Sequence, residues 1–218
     1  MRLFLASLVT MMAVSGQTPT LPPDVDPKSY SRFPPVVRAE LKTDQERAAF
    51  DFVAGANSGS VPLMGPGGVS MYSPGSAQPI QRLNQYLRNE STVKGKLFEL
   101  CALIGAWEID QQYEWSAHEP AALREGASQK TIDVIKYNRS IEGLDEQDTV
   151  LIQMGRQIMR NHKLDSEVFA HAVKVFGRQR TLEIALAIGD YVMAGIMLTA
   201  ADQQLPPERK ALLPTRQK

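Results

Sequence analysis

Four side chains have the types and spacing to do chemistry. Glu99 interrupts an otherwise apolar run, LFELCALIGAW. An ionised carboxylate is costly to bury alone, so this one calls for a partner. Gln111, Glu114 and His118 follow in QQYEWSAH. On a helix, their i, i+3 and i+7 spacing puts them on one face. A carboxylate beside an imidazole holds a proton at either site. Each group favours the other's charged form, and burial opposes charge on both. That is acid–base equipment near neutral pH. A Glu and a His four apart also occur as a plain surface pair worth a few tenths of a kcal/mol. Spacing alone leaves both readings open. His162 sits among Arg160, Asn161 and Lys163, and His171 lies on an amphipathic segment. Neither has metal-ligand spacing, so no metal site is expected.

These residues need helices to hold them, and the chain supplies helical periodicity over most of its length. Thr43-Asp44-Gln45-Glu46 has capping-box spacing ahead of Ala48, Phe50, Phe52 and Val53, which predicts a helix over 44–54 ended by Gly55. Further helices are expected at 79–89, 93–112, 114–125, 129–138, 146–162, 165–176 and 179–202. Gly126 and Gly177 read as helix ends, Asp145 and Asp165 as caps. No stretch alternates with period two, so the fold class is all-α. Residues 55–78 are rich in Gly, Ser and Pro and are expected to sustain neither helix nor long strand. They read equally as a functional loop and as a disordered one. Residues 184–201 are nearly all apolar, but Asp190 sits near the middle. A helix buried in the core or at a subunit interface fits better than a membrane span.

Composition narrows the classes. The 218 residues are 43% hydrophobic and 22% charged, enough for one sizeable core. Lys+Arg and Asp+Glu are both 24, which argues against nucleic acid as a partner. The single cysteine, Cys101, makes no intramolecular disulfide, Cys-x-x-Cys pair or multi-thiolate zinc site. Met1-Arg2 and the short apolar run from Leu3 to Val14 have the layout of a secretory signal, cleaved before Gly16 or one residue later. The expected organisation is a signal at 1–16, a proline-rich extended arm at 17–42, a helical domain at 43–203 and a loose tail at 204–218. The expected location is outside the cytoplasm.

The stretch FELCALIGAWEIDQQYEWSAHEPAALREGAS (98–128) resembles the carboxymuconolactone decarboxylase family of the alkylhydroperoxidase D-like superfamily. FPPVVRAEL (33–41), GPGGVSMYSP (65–74), LNQYLRNES (83–91) and FGRQRTLEIALAIGDYVMAG (176–195) support it, so the resemblance spans about Phe33 to Asp202. It implies an all-helical fold assembled into trimers or hexamers, with sites near subunit interfaces. The peroxidase branch of the superfamily carries a glutamate, a Cys-x-x-Cys pair and then a histidine. Here Glu99 and His118 match the glutamate and histidine, and Gln111 and Glu114 fall where the cysteines would be. Without those thiols, neither attack on a peroxide nor resolution of a sulfenic acid has its nucleophile.

The decarboxylase branch is similar to what remains and uses no cofactor. That resemblance implies a small lactone-like or aromatic-derived acid as substrate. His118 would move the proton, Glu114 set its state and Glu99 complete the relay, while Gln111 offers an amide donor. Arg88 or Arg124 would hold a substrate carboxylate, and Gly65-Pro66-Gly67-Gly68 would present backbone amides or close over the ligand. An antioxidant peroxidase and a non-catalytic, small-molecule-binding oligomer are the competing expectations.

Overall fold

In the computed structural model, residues 21–55 and 62–215 are described; the expected signal segment lies outside them. Helix α1 spans Asp44–Ala54 and starts at the expected capping box. Thr43 accepts from the Glu46 amide, and the Glu46 carboxylate accepts from the Thr43 amide. Seven more helices follow: α2 (Gly65–Ser70), α3 (Pro74–Gln85), α4 (Lys96–Glu108), α5 (Gln112–Arg124), α6 (Gln129–Lys136), α7 (Glu146–Arg156) and α8 (Ser166–Ala200). The turns Tyr86–Glu90 after α3 and Gln157–Asn161 after α7 are π-helical. Among the described residues there is no strand, only the isolated bridges Asp26–Ser31 and Val36–Leu63. The all-α expectation holds.

Helix α4 is the axis of the core. Its ten residues from Phe98 to Trp107 are all buried, because α5, α6, α7 and α8 pack around it. Gly105 lets α8 approach: a Cβ there would lie 2.9 Å from the Ile188 carbonyl oxygen and 2.9 Å from Tyr191 Cβ. A smaller cluster of Ala49, Phe50, Met71 and Ala77 joins α1, α2 and α3.

Three expectations need correcting. The Gly/Ser/Pro-rich stretch does sustain helix: α2 lies wholly within it and α3 begins there. Pro66 and Pro74 sit in first turns, where a missing amide costs nothing. Gly68 lets α2 press on the segment that leads into it, since a Cβ there would lie 2.6 Å from the Leu63 carbonyl oxygen. Within the proline-rich arm, the described part is not simply extended: it turns at Asp26–Ser31, and Arg38–Glu40 form a 3-10 turn. The tail expected to be loose is anchored, with Leu213 buried in the main core and the Leu212 amide donating to Ser116 Oγ at 3.3 Å.

The two helices expected on either side of Gly177 run on as α8, but Gly177 breaks the helical geometry with φ 78° and ψ 162°. α8 is long and apolar enough to cross a membrane by length and composition, and half of its most apolar window is buried in the fold.

Candidate active site

Helices α4, α5 and α8 and the π turn after α3 each send a polar side chain to one buried spot. Glu99 comes from the first turn of α4 and is 6% exposed; Glu114 and His118, on α5, are 4% and 8% exposed. The imidazole lies between the two carboxylates. His118 Nδ1 is 2.6 Å from Glu99 Oε2, and Nε2 is 3.4 Å from Glu114 Oε2. The first contact is a tight hydrogen bond and the second a looser one. Burial alone would lower the His118 pKa, but Glu114 and Glu99 outweigh it, so the imidazole is held protonated above its ordinary range.

Arg88 balances the Glu99 carboxylate. Its Nη1 is 3.4 Å from Glu99 Oε1, its Nη2 donates to Tyr191 Oη at 2.7 Å, and its guanidinium lies 4.6 Å from the centre of the Phe98 ring. The side chain stays 41% exposed, so it forms the solvent edge of an otherwise buried cluster. It is placed by the π turn Tyr86–Glu90, which is latched to α8 through Glu183. Tyr86 Oη and the Thr92 amide donate to that carboxylate at 2.7 and 2.8 Å. Widened turns of this kind recur at functional sites.

Three residues not expected from sequence complete the wall. The Tyr191 ring meets the His118 imidazole edge-on at 4.6 Å. Asn84 donates to Asp190 Oδ2 at 2.8 Å. Burial pushes the Asp190 carboxyl up, with the Glu114 charge adding to it against the Asn84 hydrogen bond. Burial likewise raises Tyr191, which stays a neutral phenol. The signal for these residues was present. Asp190 is a lone acid in an apolar run, as Glu99 is, and Asn84 stands one helical turn before Arg88. Glu114 Oε1 is buried with no hydrogen-bond partner among the described residues. Such an orphan acceptor calls for an explanation, and a ligand donor is one.

Of the residues singled out from sequence, the fold brings Arg88, Glu99, Glu114 and His118 together and leaves the others elsewhere. Gln111 does not join them. It is the N-cap of α5, its Oε1 accepts from the Tyr113 amide, and its Nε2 donates to the Gly195 carbonyl and Thr199 Oγ1. Arg124 is exposed in the last turn of α5. Gly65 and Pro66 open α2, and Gly65 abuts the Tyr113 hydroxyl. Cys101 is fully buried and burial drives its thiol pKa up, the opposite of what a reactive thiolate needs. Among the described residues no three acidic, histidine or cysteine groups are arranged to hold a metal ion.

No family model matches the sequence, and no curated protein matches it. Solved structures do match by fold. An AhpD-type protein of unknown function from Agrobacterium tumefaciens is 16% identical, over 64% of this chain and 96% of that one, with a TM-score of 0.57. The debrominase Bmp8 in complex with 2,3,4-tribromopyrrole is 15% identical over 80% and 91%, with a TM-score of 0.60. An uncharacterised peroxidase-related protein from Ralstonia eutropha JMP134, an alkylhydroperoxidase AhpD core, is 14% identical over 82% and 94%, also at 0.60. The chain thus has the AhpD-like helical fold.

Proposed function

We propose that the protein is a cofactor-free acid–base enzyme resembling carboxymuconolactone decarboxylase, acting on a small lactone-like or aromatic-derived acid. The observation that carries this reading is the buried imidazole of His118 between the Glu99 and Glu114 carboxylates, with Arg88 at the exposed edge. Arg88 is the cation for a substrate carboxylate. His118 Nε2 carries the transferable proton, because Nδ1 is committed to Glu99 at 2.6 Å and Nε2 is held only at 3.4 Å.

In the decarboxylation, the bond between the ring carbon and the carboxylate carbon breaks and carbon dioxide leaves. The electron pair stays on the substrate as an enolate-like anion. The Nε2 proton of His118 then bonds to carbon, and the neutral imidazole is reprotonated from solvent. Glu99 and Glu114 favour the charged imidazolium before the transfer and draw the next proton back after it.

A thiol peroxidase is disfavoured, since Gln111 and Glu114 stand where the thiols would be and Cys101 is sealed in the core. A second reading takes its support from the debrominase neighbour and the orphan Glu114 Oε1, which suits an aromatic heterocycle bearing an N–H. The test is decarboxylation of carboxymuconolactone and related lactones by wild type and His118→Ala. Turnover that disappears in the variant is expected. Turnover that survives it, or none on any lactone by a folded protein, overturns the lyase reading.

A further inference from the structure

Away from the catalytic cluster, a cavity holds a cation that nothing in the fold neutralises. The cavity measures about 650 Å³ and lies where segments 21–30 and 203–211 meet the first turn of α5. That is the size of a small-molecule pocket. Leu21, Pro22, Leu205, Pro206 and Ala211 give it apolar walls. On α5 it is lined by Gln112, whereas Glu114 and His118 stand two and six residues further on. At 3.6 residues per turn, both of those lie on the opposite side of the helix from Gln112.

Arg209 reaches the cavity from a turn set by Pro206 and Pro207, in which its amide donates to the Pro206 carbonyl at 2.9 Å. Its guanidinium lies 4.5 Å from the centre of the Tyr113 ring, a stacking that holds it in place. Among the described residues the guanidinium meets no carboxylate and no other hydrogen-bond acceptor, and its Nη1 is buried in that state. The acids of the neighbouring segments are engaged elsewhere: Asp24 and Asp202 both pair with Arg32, at 2.7 and 3.9 Å. A guanidinium has five donors and always keeps its charge, so sheltering it without an anion is costly.

A second polar atom at the cavity is also unmet. Gln203 Nε2 donates to the carbonyls of Ser29, Tyr30 and Gln204, at 3.0 Å each. Three carbonyls fix which end of the amide is nitrogen, and the Oε1 atom is left buried with no donor among the described residues.

We propose that this cavity binds a small carboxylic acid with an apolar body, its carboxylate on Arg209 and its body against the leucine and proline walls. Charge selects that occupant. The lining holds one guanidinium and no lysine, which matches a monoanion, and the planar fork of donors matches a carboxylate. A dianionic phosphate would leave a net negative charge in an apolar setting. The site does not depend on the reaction at His118, but it bears on the same helix. Ser116 Oγ accepts from Gln112 Nε2 at 2.8 Å and from the Leu212 amide at 3.3 Å, which ties the cavity wall to α5.

Calorimetry on the full chain tests this with 4-phenylbutanoate and decanoate, each beside its uncharged primary amide. At least one acid is expected to bind with a Kd below about 1 mM, and its amide at least about tenfold more weakly. Arg209→Gln is expected to abolish that preference, and Arg88→Gln to leave it intact. Ala211→Trp keeps Arg209 and narrows the cavity, so it is expected to weaken the acid at least about tenfold with the urea midpoint unchanged. Three results overturn the proposal: no binding of either acid by wild type, equal affinity for acid and amide, or binding that is lost in Arg88→Gln and kept in Arg209→Gln. The last would put the acid in the catalytic cluster and leave the proposed function standing.

Discussion

His118 is buried between two carboxylates, and its surroundings support separate predictions. Its proton is bound more tightly in the folded chain than in the unfolded one. The resulting stabilisation is complete below the ordinary value of 6.5 and is lost as pH rises through the raised folded value. Urea melts of wild type and His118→Asn should therefore differ more at pH 6 than at pH 9. A gap that widens with pH would contradict the assignment. For turnover, His118→Asn should lower kcat by about 10²–10⁴-fold, the usual worth of a positioned proton donor. Arg88→Gln should act differently. On the proposed roles it removes the cation for a substrate carboxylate and leaves the His118 imidazole in place, so KM should rise while kcat changes little. Steady-state kinetics on a lactone acid would separate the two; equal losses in kcat for both variants would mean that Arg88 also steadies the transition state.

At the scale of elements, the site depends on how closely α4 and α8 approach and on how the π turn is held. Gly105→Ala would push its new methyl into the Ile188 carbonyl and Tyr191 Cβ. The helices must part to relieve it, at a cost of about 1–3 kcal/mol, and Tyr191 must shift against the imidazole. A lower melting temperature together with a lower kcat is expected, and a variant as stable as wild type would show that the contact is slack. The latch is Glu183. Burial would raise its carboxyl, but hydrogen bonds from Thr92, Tyr86 and Gln179 pull it down to about 2. Its stabilisation is present above the ordinary 4.5 and is lost as pH falls through about 2. Glu183→Gln should thus cost stability at pH 7, and the cost should shrink as the medium is acidified towards pH 2. Most of the helices were legible, because capping box, apolar spacing and terminal glycines are local signals; α2 and the start of α3 were not, because their Gly and Pro residues read as breakers. The site was half legible for the same reason. Glu114 and His118 share one helix, and Glu99 stood out as an acid among apolar residues. Arg88 was a candidate that the sequence could not tell from Arg124, and Asn84, Asp190 and Tyr191 join it only through packing between distant segments, which spacing along the chain does not encode.

For the whole molecule, the two chain ends brace each other across the exit of α8. The Arg32 amide donates to the Ala201 carbonyl at 2.7 Å, the Gln204 amide donates to the Tyr30 carbonyl at 2.7 Å, and Gln203 Nε2 spans the Ser29 and Tyr30 carbonyls at 3.0 Å each. Prolines in both segments point to looseness when read one at a time. Each nonetheless finds its hydrogen-bond partners in the other, more than 160 residues away, which is why the tail was misread. Past this clasp the chain turns back, stacks Arg209 over Tyr113 at 4.5 Å and buries Leu213 in the main core. If that burial is an integral part of the fold, Leu213→Ala should cost about 2–3 kcal/mol, in the lower half of the range for a leucine removed from a packed core. Leu212→Ala, at a partly buried neighbour, should cost less. Chemical denaturation of both variants gives the answer directly. Equal and negligible losses would mean that the tail rests on the fold without supporting it. A Leu213 loss of the predicted size would make the last turn of the chain part of the scaffold that holds α5, and with it Glu114 and His118, in place.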